Sequence, residues 1–294
     1  MLCIFTRSDD GTVNLIENLF DESVLRINVD SDDWGFDYRN GDWTIHAGEQ
    51  SIKLDQDSRA WWWKVYFEDD NRDRSRNAEI EYLTREIYSE IGRRGKLVGN
   101  PPNFHSQIGK LRILDIARKI FSVPETNATF NRDVTWIDDA VVKSLSSTPF
   151  TNNTVLYTTR ASVASLNPNG NFWLTQSYVE SAADVTVLLV GFKTFAFERR
   201  RTPGITVDWR REQVDDLNRT AWTCIQMSKF EKQQIRTFQE SLGVEWGRID
   251  FLRSPQGELV FLEYNANGQF VFLDEKNRSN ILSEVAQFLV GSCE

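Results

Sequence analysis

An α/β (α+β) fold in two or three lobes is what this 294-residue sequence predicts, and three observations carry that expectation. Short apolar runs alternate with helix-period stretches through the N-terminal third, the pattern of an α/β lobe. Further on, strand-like runs are joined by tight turn signals, as in hairpins. The composition, 40% hydrophobic and 12% aromatic with 10 Trp and 19 Phe, builds a substantial core and rules out disorder as the main state. At roughly 100–200 residues per domain, the length asks for more than one lobe.

In chain order, residues 2–6 read as a buried strand, 12–20 as a helix and 23–28 as the next strand. The runs 43–45 and 51–54 flank Ala47-Gly48-Glu49-Gln50, a hairpin signal. Residues 61–65 form a further strand, and the charged stretch 68–76 leads into a helix over 77–94. After a break at Val98-Gly99-Asn100-Pro101-Pro102, Ser106 is placed to cap one helix. Its apolar stripe is Ile108, Leu111, Leu114, Ala117 and Phe121, with Lys110 on the flank. Strands are expected at 139–143, 155–158, 172–179 and 184–191, the last pairing with 192–197 across Gly191. Helices at 214–224 and 228–242 precede a hairpin of 247–253 with 258–264, and a last helix covers 281–289. There is no internal repeat.

Several function classes drop out. With 34 Lys+Arg against 43 Asp+Glu the net charge is −9, which disfavours nucleic acid as a partner. No apolar run reaches the roughly 20 residues of a bilayer span, and the N-terminal stretch lacks a signal peptide's apolar segment. Cys3, Cys224 and Cys293 are widely spaced and odd in number, which fits a reducing cytoplasm. His46 and His105 have no partner at ligand spacing, so a His/Cys metal centre and a histidine-based nucleophile system are both disfavoured. P-loop and dinucleotide-binding glycine motifs are absent from the sequence.

The most informative stretch is Trp246-Gly247-Arg248-Ile249-Asp250-Phe251, a turn, and Val260-Phe261-Leu262-Glu263-Tyr264-Asn265-Ala266-Asn267-Gly268-Gln269. Residues two apart on a strand share a face, so Glu263 and Asn265 point the same way. A turn at 254–257 sets Asp250 opposite Phe261 and makes it a diagonal neighbour of Glu263, with Phe261 on that same face. Three oxygen donors without imidazole or thiolate suit Mg²⁺. Exposed polar positions of an antiparallel sheet would look the same by spacing alone.

Here the sequence resembles a known family. Glu263-Tyr264-Asn265-Ala266-Asn267-Gly268, with Asp250 upstream, is similar to the closing metal motif of ATP-grasp ligases. Asn100-Pro101-Pro102, Lys110, Pro124-Glu125-Thr126, Val141-Val142-Lys143, Gln176-Ser177-Tyr178-Val179 and Asp184-Val185-Thr186-Val187 resemble the family's other elements, in its order. Trp62-Trp63-Lys64 and Val207-Asp208-Trp209-Arg210 resemble segments of the graspetide synthetases, the microviridin-type maturases of ribosomal peptides.

The resemblance implies three lobes (1–105, 106–180 and 181–294), with the nucleotide between the central and C-terminal ones. It implies ATP and Mg²⁺ as cofactors, Asp250, Glu263 and Asn265 as metal ligands, and Lys110 and Lys143 on phosphates. Gln176, Ser177, Tyr178 and Val179 would hold adenine, and Asp184 the ribose. Arg210, and after it Arg199, would steer the γ-phosphate or acceptor carboxylate, while Asp215 and Asp216 would receive the leader of a precursor peptide. The implied activity is side-chain ester or amide ring closure on that peptide by a cytoplasmic homodimer. Alternatives are a ligase joining a free amino acid to a small acid or protein tail, and a nucleotide-binding module without turnover. Thr186, where relatives usually carry Arg, and a glycine-free loop at 144–154 support the last.

Overall fold

The computed structural model describes residues 1–20, 24–67, 74–130, 139–143, 158–161, 172–201, 221–274 and 279–291. Its elements begin with β1 (Leu2–Thr6), α1 (Gly11–Ile16), β2 (Val24–Asn28), β3 (Trp34–Arg39), β4 (Asp42–Ala47), β5 (Gln50–Lys53), β6 (Arg59–Trp62), α2 (Arg74–Arg94) and β7 (Lys96–Val98). Next come α3 (Phe104–Ile108), α4 (Lys110–Ala117), β8 (Thr126–Phe130), β9 (Ala140–Lys143), β10 (Thr159–Ala161) and β11 (Phe172–Ser177). The chain continues through β12 (Ala183–Val190), β13 (Lys193–Arg200), β14 (Thr223–Ile225), α5 (Lys229–Leu242), β15 (Trp246–Arg253), β16 (Leu259–Asn265) and α6 (Ile281–Val290).

Four sheets organise these elements. The N-terminal one, in the order β2-β1-β6-β7, is parallel throughout, and β3-β4-β5 is an antiparallel meander beside it. A parallel sheet is stable only when covered on both faces. The Trp run meets that need through its period of two. Trp61 and Trp63 pack with Trp246 and Phe270 toward the C-terminal sheet, while Trp62 packs with Phe5 and Tyr88 beneath α2. All three are buried.

The central sheet, β10-β9-β11-β8, and the C-terminal sheet, β14-β13-β12-β15-β16, are antiparallel. β12 is buried along its whole length because both of its faces are covered. Val185, Val187 and Leu189 meet α3, α4 and α5 on one side. Leu188 and Val190 meet the N-terminal sheet and α6 on the other. A capping box of Ser228 with Glu231 starts α5, and Gly243 in the left-handed region ends it.

The structure departs from the sequence expectations at several places. The helix expected from Ser106 is two helices, because Gly109 at φ 81° turns the chain between α3 and α4. Thr223–Ile225 is an edge strand on β13 rather than the end of a helix. Three strands carry no clear sequence signal: β7 is only three residues long, β3 lies half-exposed on the meander's edge, and β8 has no clean alternation. The expected strand at 155–158 and the loop at 144–154 fall almost wholly outside the described residues. None of the described helices is long and apolar enough to cross a membrane.

Candidate metal and nucleotide site

The site lies where the β15–β16 hairpin changes character. Phe251 pairs with Phe261, but the next pair inward is Asp250 with Glu263, so Leu262 is an extra residue in β16. Such a bulge exchanges the faces of every later residue on its strand. Phe261 thereby joins the apolar core with Phe121, Phe238 and Phe251, and Tyr264 joins it beyond the bulge. Glu263 and Asn265 are left on the opposite face, open to the cleft. The expected register, with Asp250 opposite Phe261 and Phe261 sharing the face of Glu263, is thus corrected: Asp250 is directly opposite Glu263, and Arg248 opposite Asn265.

Hydrogen bonds tie this face together. The Asn265 amino group donates to Asp250 Oδ2 at 2.8 Å and to Glu263 Oε1 at 3.1 Å. Arg248 Nη2 donates to Asp250 Oδ2 at 2.9 Å, and the Thr186 hydroxyl, from β12, to Asp250 Oδ1 at 2.7 Å. Two carboxylate oxygens from separate strands therefore converge on one donor, which is what a divalent cation also requires. Among the described residues no cluster of three or more His, Cys, Asp and Glu could hold a metal. Two carboxylates and an amide oxygen would leave the rest of the shell to water and phosphate, as suits Mg²⁺.

Gly268 closes the loop after Asn265. A Cβ there would come within 2.9 Å of the Arg248 Cβ and 3.0 Å of the Asn265 Cβ, so the loop can approach both only with glycine. Beneath it, Asn100 Nδ2 lies within 2.9 Å of Trp246 O and the Tyr264 hydroxyl oxygen and 2.8 Å of Ala266 O, seating the N-terminal lobe under the loop. The Ala266 N–H donates to His105 Nε2 at 3.4 Å. Burial and the nearby Lys110 pull the His105 pKa down, with Glu263 opposing, which favours the neutral imidazole that can accept the Ala266 N–H.

Across the cleft stand Lys110, the first residue of α4, and Lys143, the last of β9. With Leu174, Gln176, Phe261, Leu262 and Glu263 they line one pocket between the central and C-terminal sheets. Desolvation pushes the Glu263 carboxyl up, but Lys143, Lys110, the Asn265 amide and Arg248 together hold it below the ordinary carboxylate value. Gln176 is buried; its Nε2 donates to Thr126 Oγ1 at 3.0 Å, while its Oε1 finds no partner among the described residues. The Ser177 and Tyr178 N–H groups donate to Glu125 O and Asp139 O, and Val179, half-buried, follows them. Arg160 stacks over the Tyr178 ring at 4.3 Å while pairing with Asp139.

Asp184 is buried and turned into an ion pair with Arg201 and Arg199. Burial raises its pKa, only partly offset by the two guanidinium groups. Arg199 is buried beside it rather than lying on a solvated edge. Arg210, Asp215 and Asp216 lie outside the described residues. Sequence reasoning gave Arg248 and His105 no role. Arg248 carried a usable signal, since a residue two before Asp250 shares its face. It also places a cation next to Asp250 where Thr186 supplies only a hydroxyl.

Comparison with solved structures places the whole architecture. Over 100% of this chain and 97% of the other, the fold matches a Chryseobacterium gregarium RiPP-associated ATP-grasp ligase, solved with ADP and a leader and core peptide, at a TM-score of 0.84. The chain has the ATP-grasp fold. Sequence identity in that match is 20%. Macrocyclase MdnC of Microcystis aeruginosa, bound to its precursor peptide MdnA, matches over 99% of both chains with a TM-score of 0.79 and 19% identity. The VanG D-Ala:D-Ser ligase of Enterococcus faecalis covers 99% of this chain and 98% of its own at a TM-score of 0.56 and 14% identity. No family model and no curated protein matches the sequence.

Proposed function

We propose that this ATP-grasp protein is an ATP-dependent ligase that closes side-chain rings in a ribosomal precursor peptide. The observation that carries the reading is the Asp250–Glu263–Asn265 face, opposed across one cleft by Lys110 and Lys143. Likeness over the whole chain to two proteins solved with precursor or leader and core peptides supports the substrate class.

A carboxylate resists a nucleophile because its leaving group would be oxide. Transfer of the ATP γ-phosphoryl to an Asp or Glu side chain makes an acyl phosphate, which a Ser or Thr hydroxyl or a Lys amine then displaces, releasing phosphate. Such transfer is catalysed mainly by positioning and electrostatics. Asp250, Glu263 and Asn265 would hold Mg²⁺, which would supply positive charge against that of the phosphates. Lys110 and Lys143 take phosphate oxygens, and Arg248 meets charge on the transferred group. The unpartnered Gln176 Oε1 provides an acceptor for the adenine amino group, beside Ser177, Tyr178 and Val179. Asp184 as the ribose contact and Arg199 as a second cation for the γ-phosphate or acceptor carboxylate rest on the sequence resemblance. Arg210 as acceptor-steering cation, Asp215 and Asp216 as leader contacts, the lobes 1–105, 106–180 and 181–294, and a cytoplasmic homodimer complete the proposal, on the sequence resemblance.

The test is incubation of the protein with ATP, Mg²⁺ and a short Thr- and Glu/Asp-rich peptide encoded beside its gene, followed by mass spectrometry. Loss of one water mass per ring is expected. Phosphate release with free amino acids alone, or no ATP turnover with any acceptor, would contradict it.

A further inference from the structure

Gln269 ends the loop that follows Glu263 and Asn265, and its exposed side chain makes one bond among the described residues. The Thr12 hydroxyl, buried in α1 just after β1 of the N-terminal sheet, donates to its Oε1 at 2.9 Å. The next residue, Phe270, packs against Trp63 and Trp246. At the other end of the loop the Ala266 carbonyl accepts from Asn100, two residues after β7. Residues that follow strands of the N-terminal sheet therefore hold the loop at both ends.

What the Thr12 tether fixes is Arg248. The Gln269 carbonyl accepts from Arg248 Nη1 at 2.6 Å, and Nη2 of the same guanidinium donates to Asp250 Oδ2 at 2.9 Å. A Cβ on Gly268 would come within 3.3 Å of Arg248 Nε, and the Phe272 ring centre lies 5.7 Å from its Cζ. A guanidinium beside a carboxylate favours a two-nitrogen fork. Here the fork is split, with one nitrogen on the loop and one on the carboxylate.

The split leaves Asp250 room for a metal ion. An ionised carboxylate offers about four acceptor sites. Arg248 and Asn265 both donate to Oδ2, and Thr186 donates to Oδ1. About one site is left, and a second Arg248 nitrogen would fill it.

We propose that Thr12, through Gln269, holds Arg248 to a one-nitrogen contact with Asp250 and so keeps a carboxylate lone pair for Mg²⁺. Thr12 and Gln269 are positioning residues in this scheme. Without the Thr12 bond the Gln269 side chain turns to water, its carbonyl loosens, and the guanidinium closes its fork on Asp250. Groups directly behind a metal's ligands commonly change its affinity by about 10–100-fold. Thr12 stands further out, so a smaller factor is expected. The role rests on the ligase reading for the metal site itself, and its test separates the two.

ADP affinity of the full-length protein is measured by calorimetry over a range of Mg²⁺ concentrations. Thr12→Val is expected to raise the half-saturating Mg²⁺ concentration about three- to tenfold and to leave ADP affinity without Mg²⁺ within about twofold. Its Tm should stay within about 4 °C of wild type, and Thr12→Ser should restore the wild-type midpoint. In Gln269→Ala, which lacks the side-chain acceptor, and in Arg248→Met, Thr12→Val should shift the midpoint by less than about twofold. An unshifted midpoint in Thr12→Val, with or without a fall in Tm, overturns the proposal and leaves the ligase reading standing. So does a full Thr12→Val shift that persists in either background. Wild-type ADP affinity that Mg²⁺ does not change would remove the metal site of the ligase reading, and the proposal with it.

Discussion

On one side of Leu262 the β15–β16 hairpin is joined by Phe251 and Phe261, both buried among the aromatic rings under α4 and α5. On the other side it is joined by Asp250 with Glu263 and Arg248 with Asn265, open to the cleft and bound by polar contacts. One inserted residue separates the two. It lets a single ribbon anchor the core with one half and present a charged constellation with the other, each half on the face its chemistry needs. Stability and activity should therefore separate along this hairpin.

The largest expected effect breaks the apolar half. Phe261→Ala should cost roughly 3–5 kcal/mol in denaturant unfolding, since a fully buried ring leaves a cavity among Phe121, Phe238 and Phe251. Stability close to that of wild type would undo the division. Gly268→Ala comes next. Its Cβ must displace Arg248 and Asn265, so a loss of about 1–3 kcal/mol with weakened Mg²⁺ dependence is expected from calorimetry and metal titration.

Thr186→Val should be smaller. It removes the 2.7 Å hydroxyl donor to Asp250, at about 1 kcal/mol by chemical denaturation, and leaves Arg248 and Asn265 still holding the carboxylate. Smallest is the pH effect at the far end of the hairpin, where Arg253 pairs with Glu198 and Glu231. Burial raises the Glu231 carboxyl, but Ser228 and Arg253 outweigh it and hold its pKa below the ordinary 4.5. Its contribution is fully present above that value and fades as pH falls through the depressed one. Glu231→Gln should thus cost about 0.5–1 kcal/mol at pH 7 and progressively less as pH falls below 4.5 through the depressed value, read from Tm against pH.

Much of the site is legible in the amino-acid sequence itself. Asp250, Glu263 and Asn265 share a hairpin whose turn and alternation are plain there. Strict alternation, however, puts Phe261 on the face of Glu263, a conflict that only a bulge resolves, and no local residue announces one at Leu262. Arg248 is readable from its spacing to Asp250. His105 is not, because what brings it to the metal loop is lobe packing through Asn100 and Ala266. Likewise the core of three tryptophans is legible as apolar, while its division between two faces needs the strand's setting.

The most direct test of the central claim is Glu263→Gln, assayed for ring formation on the neighbouring-gene peptide and for thermal unfolding in parallel. The cleft-facing carboxylate is placed to hold charge rather than to pack. Activity is therefore expected to fall by about 10²–10³ or more, while Tm stays within about 4 °C of wild type. Wild-type ring formation in Glu263→Gln, or unfolding of that variant on the scale of Phe261→Ala, would contradict the separation of the two halves.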